Sequence, residues 1–473
     1  MQVEQIYTGC LAHGAYYITS NGEAAIIDSL REIQPYLNRA DKDGVGIKYI
    51  FETHFHADFV SGHLDLAKAT GAKIVYGPTA KPNFDAITAA DNQIFEVGNV
   101  KIKVLHTPGH TMESSCFLLI DETGKDTAIF TGDTLFIGDV GRPDLAQKVI
   151  PDLTQDILAA HLYESLRNKI MPLNNDLIVY PGHGAGSACG KNMSKETTDT
   201  LGHQKETNYA LQPNLTKDQF IKEVLDGLMP PPSYFPKNVL MNILGYDSIS
   251  TVLENGLTQF SPVTFQVAAE ESNAVIIDTR NAQDFAKGYI PGSINIGIDG
   301  SFATWVGTLV LDIEQPILFI SDEGREEEVV TRLARVGYDK TLGYLKGGIQ
   351  SWKEAQKPIE TIESVNVNEL SDLLHLDAKL PILDIRKASE FNSQHIENAI
   401  NVPLDYINDG MTMIDKSKTY YVHCAAGYRS MIFISILKAR GFDNLIDVRG
   451  GFASILENNK FNITDYVCPS TML

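Results

Sequence analysis

Cysteine is scarce. The 473-residue chain has five, Cys10, Cys116, Cys189, Cys424 and Cys468, odd in number and widely scattered. That argues against a disulfide framework and for a reducing cytoplasm. Long apolar runs are lacking too, and none reaches the ~20 residues that a membrane-spanning helix needs. The opening Met1-Gln2-Val3-Glu4-Gln5 has no basic region followed by an apolar run, so no signal peptide is expected. Basic residues are outnumbered, 39 against 60 acidic ones, for a formal net charge of -21. The acidic residues are spread along the chain rather than gathered in a tail. Such a surface favours solubility and repels nucleic acid and anionic membrane, so neither is expected as a partner. What remains is a cytoplasmic, globular composition, too long for one ordinary core; about two to four domains are expected.

What is there is organised around Thr53-His54-Phe55-His56-Ala57-Asp58-Phe59, which follows a short apolar run, Ile47 to Phe51. Two imidazoles and a carboxylate on alternate residues at a strand end can reach one point, as a metal site requires. Taken alone, the stretch reads equally as a polar loop with helix-capping residues. Its neighbours bear on the choice. Apolar runs of strand length recur at 24–27, 73–76, 100–105, 128–130 and 177–180, and Ser61 and Gly71 read as the cap and stop of a helix between two of them. Four runs lead within a few residues to a candidate ligand. Phe51 leads to His54, Leu105 to Thr107-Pro108-Gly109-His110, Phe130 to Thr131-Gly132-Asp133, and Tyr180 to Pro181-Gly182-His183. Strand ends on one sheet edge lie close together, so these distant residues can share a site.

In that order the motifs resemble the metallo-β-lactamase superfamily. The resemblance implies an αββα sandwich with metals at the strand ends, over about half the chain. The superfamily usually binds two metals, and its first motif normally ends in a histidine that serves the second. Here that position is Phe59. The stretch from Thr131 to Asp144 is similar to the persulfide dioxygenase branch, also called sulfur dioxygenases. That resemblance implies one Fe(II) per chain held by His54, His110 and Asp133, a two-histidine, one-carboxylate face with open positions. His56, Asp58 and His183 would then line the site as remnants of a second metal site, orienting ligands or bound water. Arg142 is a candidate for an anionic substrate tail, or an ordinary salt bridge. Cys189 is a small buried cysteine or a residue facing the pocket. His63 and His106 read as packing residues or as residues that sit behind the metal ligands.

The run Met229-Pro230-Pro231-Pro232-Ser233-Tyr234-Phe235-Pro236 reads as an extended, stiff spacer whose aromatics pack on the first domain. Beyond it the sequence repeats. Val275-Ile276-Ile277-Asp278-Thr279-Arg280 pairs with Pro381-Ile382-Leu383-Asp384-Ile385-Arg386, and Asn295 with Asn401. The expected division is 1–250, 257–358 and 359–473, the last two being small α/β domains. Both copies resemble rhodanese domains. In the second, Cys424-Ala425-Ala426-Gly427-Tyr428-Arg429 joins a strand to an apolar helix. A thiol on a small-residue loop at a helix N-terminus faces backbone N–H groups that stabilise a thiolate or persulfide anion. Arg429 can bind sulfite or thiosulfate. Four residues separate Cys424 from Arg429, the loop length of sulfurtransferases rather than of the related phosphatases. In the first copy Ser321 and Glu326 stand in these places, so it reads as inactive.

The expectation is an enzyme that oxidises a low-molecular-weight persulfide with O2 to sulfite. The second rhodanese would then join persulfide and sulfite into thiosulfate, or run in reverse, in sulfide detoxification. One alternative is a zinc-pair hydrolase of the glyoxalase II or lactonase type, against which Phe59 counts. Another is a non-oxidising sulfur-relay protein. A homo-oligomer is compatible with the class, though no sequence feature demonstrates it.

Overall fold

Along His13–Ser20 and Glu23–Ile27 successive apolar side chains point to opposite faces, and both faces are buried. That pattern requires layers on each side. The computed structural model, described over residues 1–145 and 153–468, supplies them. The chain divides into two compact units. The first holds Met1–Val252 with Leu311–Ile313 and Thr331–Asp339, and the second begins at Leu253 and takes the remaining segments.

The first unit has two six-stranded sheets. One runs in the order Gln2–Thr8, His13–Ser20, Glu23–Ile27, Gly46–Glu52, Lys73–Tyr76, Ile87–Thr88. The other runs Asp199–Thr200, Ile178–Pro181, Asp126–Gly132, Ser115–Ile120, Val100–His106, Ile94–Val97. Tyr16, Ile18, Ile27, Phe51 and Val75 face Val104, Phe117, Leu119 and Phe130 between the sheets. The alternate residues Tyr17, Ile26 and Ile50 face outward onto helix residues Tyr36, Ala40 and Leu66. Leu105, Leu118 and Ile129 on the other sheet meet Ala159, Leu162 and Phe220. This is the αββα sandwich expected from the sequence.

Two local expectations need correcting. Gly71 does end the helix His63–Thr70, in a left-handed conformation, but Gly62 and not Ser61 flanks its start. The Ser61 hydroxyl lies 2.7 Å from Glu52 Oε1 instead, because a buried carboxylate needs a donor. The proline-rich run is not extended throughout: Phe235–Leu244 is a helix with Pro236 in its first turn. A proline fits there because its missing N–H would have no partner anyway. Tyr234 and Phe235 are buried, as expected.

The second unit holds two five-stranded parallel sheets. Their strand orders match: Gln259–Phe260, Thr341–Leu345, Ile317–Ile320, Val275–Asp278, Ile294–Asn295 in one, and Ser364–Val365, Leu445–Val448, Tyr420–His423, Ile382–Asp384, Ile400–Asn401 in the other. The repeated letters are structural. Arg280 reaches Asp278 at 2.6 Å and Arg386 reaches Asp384 at 2.6 Å. Asn295 and Asn401 each donate to the two backbone carbonyls flanking that pair. Among the described residues no helix is long and apolar enough to cross a membrane.

Phe117 is fully buried between the sheets, with its ring centroid 4.9 Å from that of Phe51. Phe117→Ala is expected to cost about 3–5 kcal/mol, from lost burial plus a cavity. Chemical unfolding followed by far-UV circular dichroism measures it.

Candidate metal centre and sulfur-carrying loop

His54 follows the strand Gly46–Glu52, His110 the strand Val100–His106, Asp133 the strand Asp126–Gly132 and His183 the strand Ile178–Pro181. Four strand ends therefore deliver one cluster. A ligand atom from each of His54, His110 and Asp133 lies within 4.8 Å of the others. His110 Nε2 is 3.5 Å and His54 Nε2 4.0 Å from Asp133 Oδ2. Gly132 permits the approach: a Cβ there would sit 2.5 Å from Thr53 Oγ1.

The neighbours fix how these rings present themselves. His110 Nδ1 donates to the Arg142 carbonyl oxygen at 2.8 Å, which assigns the lone pair to Nε2. Thr53 Oγ1 donates to Asp28 Oδ2 at 2.8 Å and so accepts from His54 Nδ1 at 3.0 Å, with the same result. Burial, with His56 adding to it, holds the His54 imidazole well below its usual range and therefore neutral. Burial works to raise the Asp133 carboxyl, but His183, then His110 and His54, hold it well below the carboxylate range. Asp133 Oδ2 is nonetheless buried without a hydrogen-bond partner. Two imidazoles that turn Nε2 toward an ionised, unpartnered carboxylate oxygen fit a transition-metal cation.

His56 points elsewhere. Its Nε2 is 3.1 Å from Asp28 Oδ1 and 3.5 Å from Glu52 Oε2. Burial opposes a charge on this ring, but the two carboxylates raise it above the usual imidazole range. His183 is held on both sides, Nδ1 to Asp133 Oδ1 at 2.8 Å and Nε2 to Asp58 Oδ2 at 2.8 Å. Burial disfavours its charge too, and Asp133 and Asp58 overcome this. Phe59 is fully buried, its ring centroid 4.3 Å from those of His13 and His56. Cys189 is buried yet converges with Asp58 and His183 in a second group. Burial, with Asp58 and Asp133, pushes its thiol well above the ordinary range.

Of the two readings of Arg142, substrate-tail site or salt bridge, the structure shows the salt bridge. The side chain is buried, bidentate to Asp144 at 2.6 and 2.7 Å, and donates to the carbonyls of Ala188 and Met229. Its guanidinium ties three loops together and has little left for a ligand. Sequence reasoning missed Asp28 and His13. Asp28 ends the strand Glu23–Ile27, so the strand-end logic applied to the other four could have found it. His13 Nε2 lies 2.9 Å from the Asp28 carbonyl oxygen, and only its place at the start of a strand signalled it. His63 is buried beside Glu52, and His203 is on the surface against Asp199.

In the second unit, Cys424 is fully buried after the strand Tyr420–His423. Gly427 N–H donates to its sulfur at 3.1 Å, at the start of the helix Tyr428–Ala439. Arg429 is not offered to an anion as expected. It is bidentate to Glu390 at 2.7 and 2.8 Å, because that carboxylate stands opposite it on the helix Ala388–Ser393. In the first copy the Glu326 carboxylate accepts from Gly324 N–H at 2.9 Å, and the Ser321 hydroxyl is buried.

Residues 8–183 match the metallo-β-lactamase superfamily model, and residues 261–355 and 366–458 match the rhodanese-like domain model. The chain is similar to a probable hydroxyacylglutathione hydrolase of Schizosaccharomyces pombe, 31% identical over 185 residues, 38% of this chain and 67% of that one. It is similar to a hydroxyacylglutathione hydrolase of Haemophilus influenzae, 30% identical over 190 residues, 36% of this chain and 83% of that one. A crystal structure of a metallo-β-lactamase from Staphylococcus aureus is 34% identical, with a TM-score of 0.63, covering 73% of this chain and 98% of that one.

Two outcomes test the site. His54→Ala should lose bound metal. His56→Ala should keep it but lose about 3–5 kcal/mol of stability, because two buried carboxylates lose their cation. Metal analysis and denaturant unfolding of both variants separate these roles. Glu390→Gln should release Arg429, read as tighter binding of a small anion such as thiosulfate by isothermal titration calorimetry.

Proposed function

This chain belongs to the metallo-β-lactamase superfamily and carries two rhodanese-like domains, and from that premise we propose that it oxidises a low-molecular-weight persulfide to sulfite. The cofactor in this reading is one iron per chain, held by His54, His110 and Asp133. The observation that carries the reading is the orientation of His56 and the identity of residue 59. His56 is turned into the Asp28–Glu52 pocket, and Phe59 fills a position where the superfamily normally has a second-metal ligand. A single-metal face follows more naturally than a pair.

Ferrous iron bound there would supply the one-electron chemistry that dioxygen needs, with open positions for it and for a sulfur anion. The chain's own groups do the rest. His54 and His110 present their Nε2 atoms. The His183 cation steadies the Asp133 carboxylate through its Nδ1–H. Burial of the whole cluster excludes water and strengthens each of these interactions. The balanced reaction takes persulfide RSSH, O2 and water to thiol RSH and sulfurous acid, which ionises to sulfite.

Cys424 carries the second chemistry. Its thiolate attacks the outer sulfur of a persulfide, and the thiolate RS⁻ leaves. A sulfite lone pair then attacks the outer sulfur on Cys424, the S–S bond breaks, and the electron pair returns to Cys424 as thiosulfate departs. The same groups permit the reverse, from thiosulfate to persulfide. The small-molecule partners are thus a persulfide, O2, and sulfite or thiosulfate.

A second reading has its own support. The hydroxyacylglutathione hydrolases above act, by name, on a glutathione thioester, and Asp58, His183 and Cys189 converge beside the first cluster. A zinc-pair hydrolase would use both groups. Oxygen uptake on adding a small-molecule persulfide to anaerobically purified protein, with metal content determined, decides between them. One iron per chain with rapid uptake is expected. Two zincs, no uptake and thioester hydrolysis would overturn the dioxygenase. His110→Ala should abolish uptake while leaving sulfur transfer from thiosulfate, and Cys424→Ser should do the reverse, with sulfite accumulating.

A further inference from the structure

We propose that the rhodanese copy lacking a cysteine is a positioning clamp for the sulfur-carrying loop of the other copy, acting through Gln283 and the turn 297–300. The inference rests on the reading of Cys424 as the sulfur carrier. The segment 253–310 of the cysteine-free copy and the whole of the other copy lie in the second unit.

The loop from Cys424 to Gly427 has only alanine and glycine after the cysteine, so it has no side chain with which to anchor itself. Yet its work is geometric: backbone N–H groups must stay aimed at the sulfur, as Gly427 N–H is at 3.1 Å. The first long side chain after it is Tyr428. Its phenol donates to the Gly297 carbonyl oxygen of the other copy at 2.8 Å. Its ring lies on Gly300, where a Cβ would sit 2.4 Å from the ring carbon Cζ. Any side chain at 300 would displace the ring.

A second contact reaches beneath the thiol. Ser430 Oγ is 3.8 Å from Cys424 Sγ and donates to Asp447 Oδ1 at 2.8 Å. The other oxygen of Asp447 accepts from Gln283 Nε2, again of the cysteine-free copy, at 2.9 Å. A third contact is Asn295 N–H to Ser435 Oγ at 3.0 Å, further along the same helix. The copy without chemistry therefore grips the helix of the copy with chemistry at residue 428, through Asp447 at residue 430, and at residue 435. Gln283, Tyr428 and Gly300 act through the loop, not on the substrate, and are positioning residues.

The test is sulfur transfer from thiosulfate to cyanide by the full chain, with Gln283→Ala, Gln283→Glu, Tyr428→Phe and Gly300→Ala. Each is expected to lower kcat roughly tenfold while KM changes less than about twofold. Alkylation of Cys424 should shift to higher pH as the N–H groups lose aim. Persulfide-dependent oxygen uptake should stay at the parent value. Gln283→Glu separates positioning from mere packing. It keeps the shape but sets a carboxylate against Asp447, so the clamp requires a loss at least as large as in Gln283→Ala, whereas packing alone predicts none. Parent-like kcat and alkylation profiles in Gln283→Ala and Tyr428→Phe, both expected to fold, would overturn the clamp. No turnover by the parent chain, with no persulfide mass on Cys424 after thiosulfate, would overturn the sulfur-carrier reading itself.

Discussion

An ionised carboxylate in a protein interior must find positive charge or donors, and Asp133 is the residue on which the first unit turns. Left alone, a buried carboxylate would take up a proton, since desolvating its charge costs several kcal/mol even after relaxation. Asp133 keeps its charge because one oxygen receives His183 Nδ1–H at 2.8 Å. The other oxygen has no hydrogen-bond partner and is flanked by the Nε2 atoms of two imidazoles. The site is thus charged on one side and incomplete on the other, which is the electrostatic condition for holding a cation. The surrounding architecture serves this arrangement. Thr53 and the Arg142 carbonyl turn the two rings, Asp28 holds Thr53 by its N–H and hydroxyl, and Gly132 removes the side chain that would keep strand and loop apart.

The sulfur-carrying loop meets the opposite demand with different means. A thiolate or persulfide is a diffuse anion that must remain reactive, so it is stabilised by aligned backbone N–H groups rather than locked by a full charge. The arginine that could have locked it is bound to Glu390. Pairing with a carboxylate leaves a weaker, adjustable field at that place.

The sequence made the main elements legible where chemistry and periodicity coincided. The candidate ligands were readable because an apolar run of strand length that leads into a His or Asp sets a polar group at a strand end, and four such strand ends, one from the first sheet and three from the second, deliver one cluster. The rhodanese repeat was readable because Asp278-x-Arg280 and Asp384-x-Arg386 satisfy each other locally, and Asn295 and Asn401 bridge the flanking carbonyls. What escaped was anything decided by a partner distant in sequence. Arg142 was open to a ligand until Asp144, Ala188 and Met229 closed on it. Ser61 was a helix cap until the buried Glu52 claimed its hydroxyl. Arg429 was an anion site until Glu390 appeared opposite it. In each case a local pattern supplied a polar group and tertiary structure chose its partner.

The cysteine-free copy shows why loss of chemistry can leave the fold intact. Its loop still forms a turn of N–H groups at the head of the helix Glu326–Arg335, and those groups still need an acceptor. The Glu326 carboxylate provides it, taking Gly324 N–H, while Arg325 is absorbed by Asp299 and Glu328. One of those N–H groups is thus met by the chain's own carboxylate. Selection on that surface can then act on what the neighbouring turn contributes to the working copy. A pair of glycines at 297 and 300, with room for one tyrosine ring, is a contribution that a loop still binding substrate of its own would be less free to make.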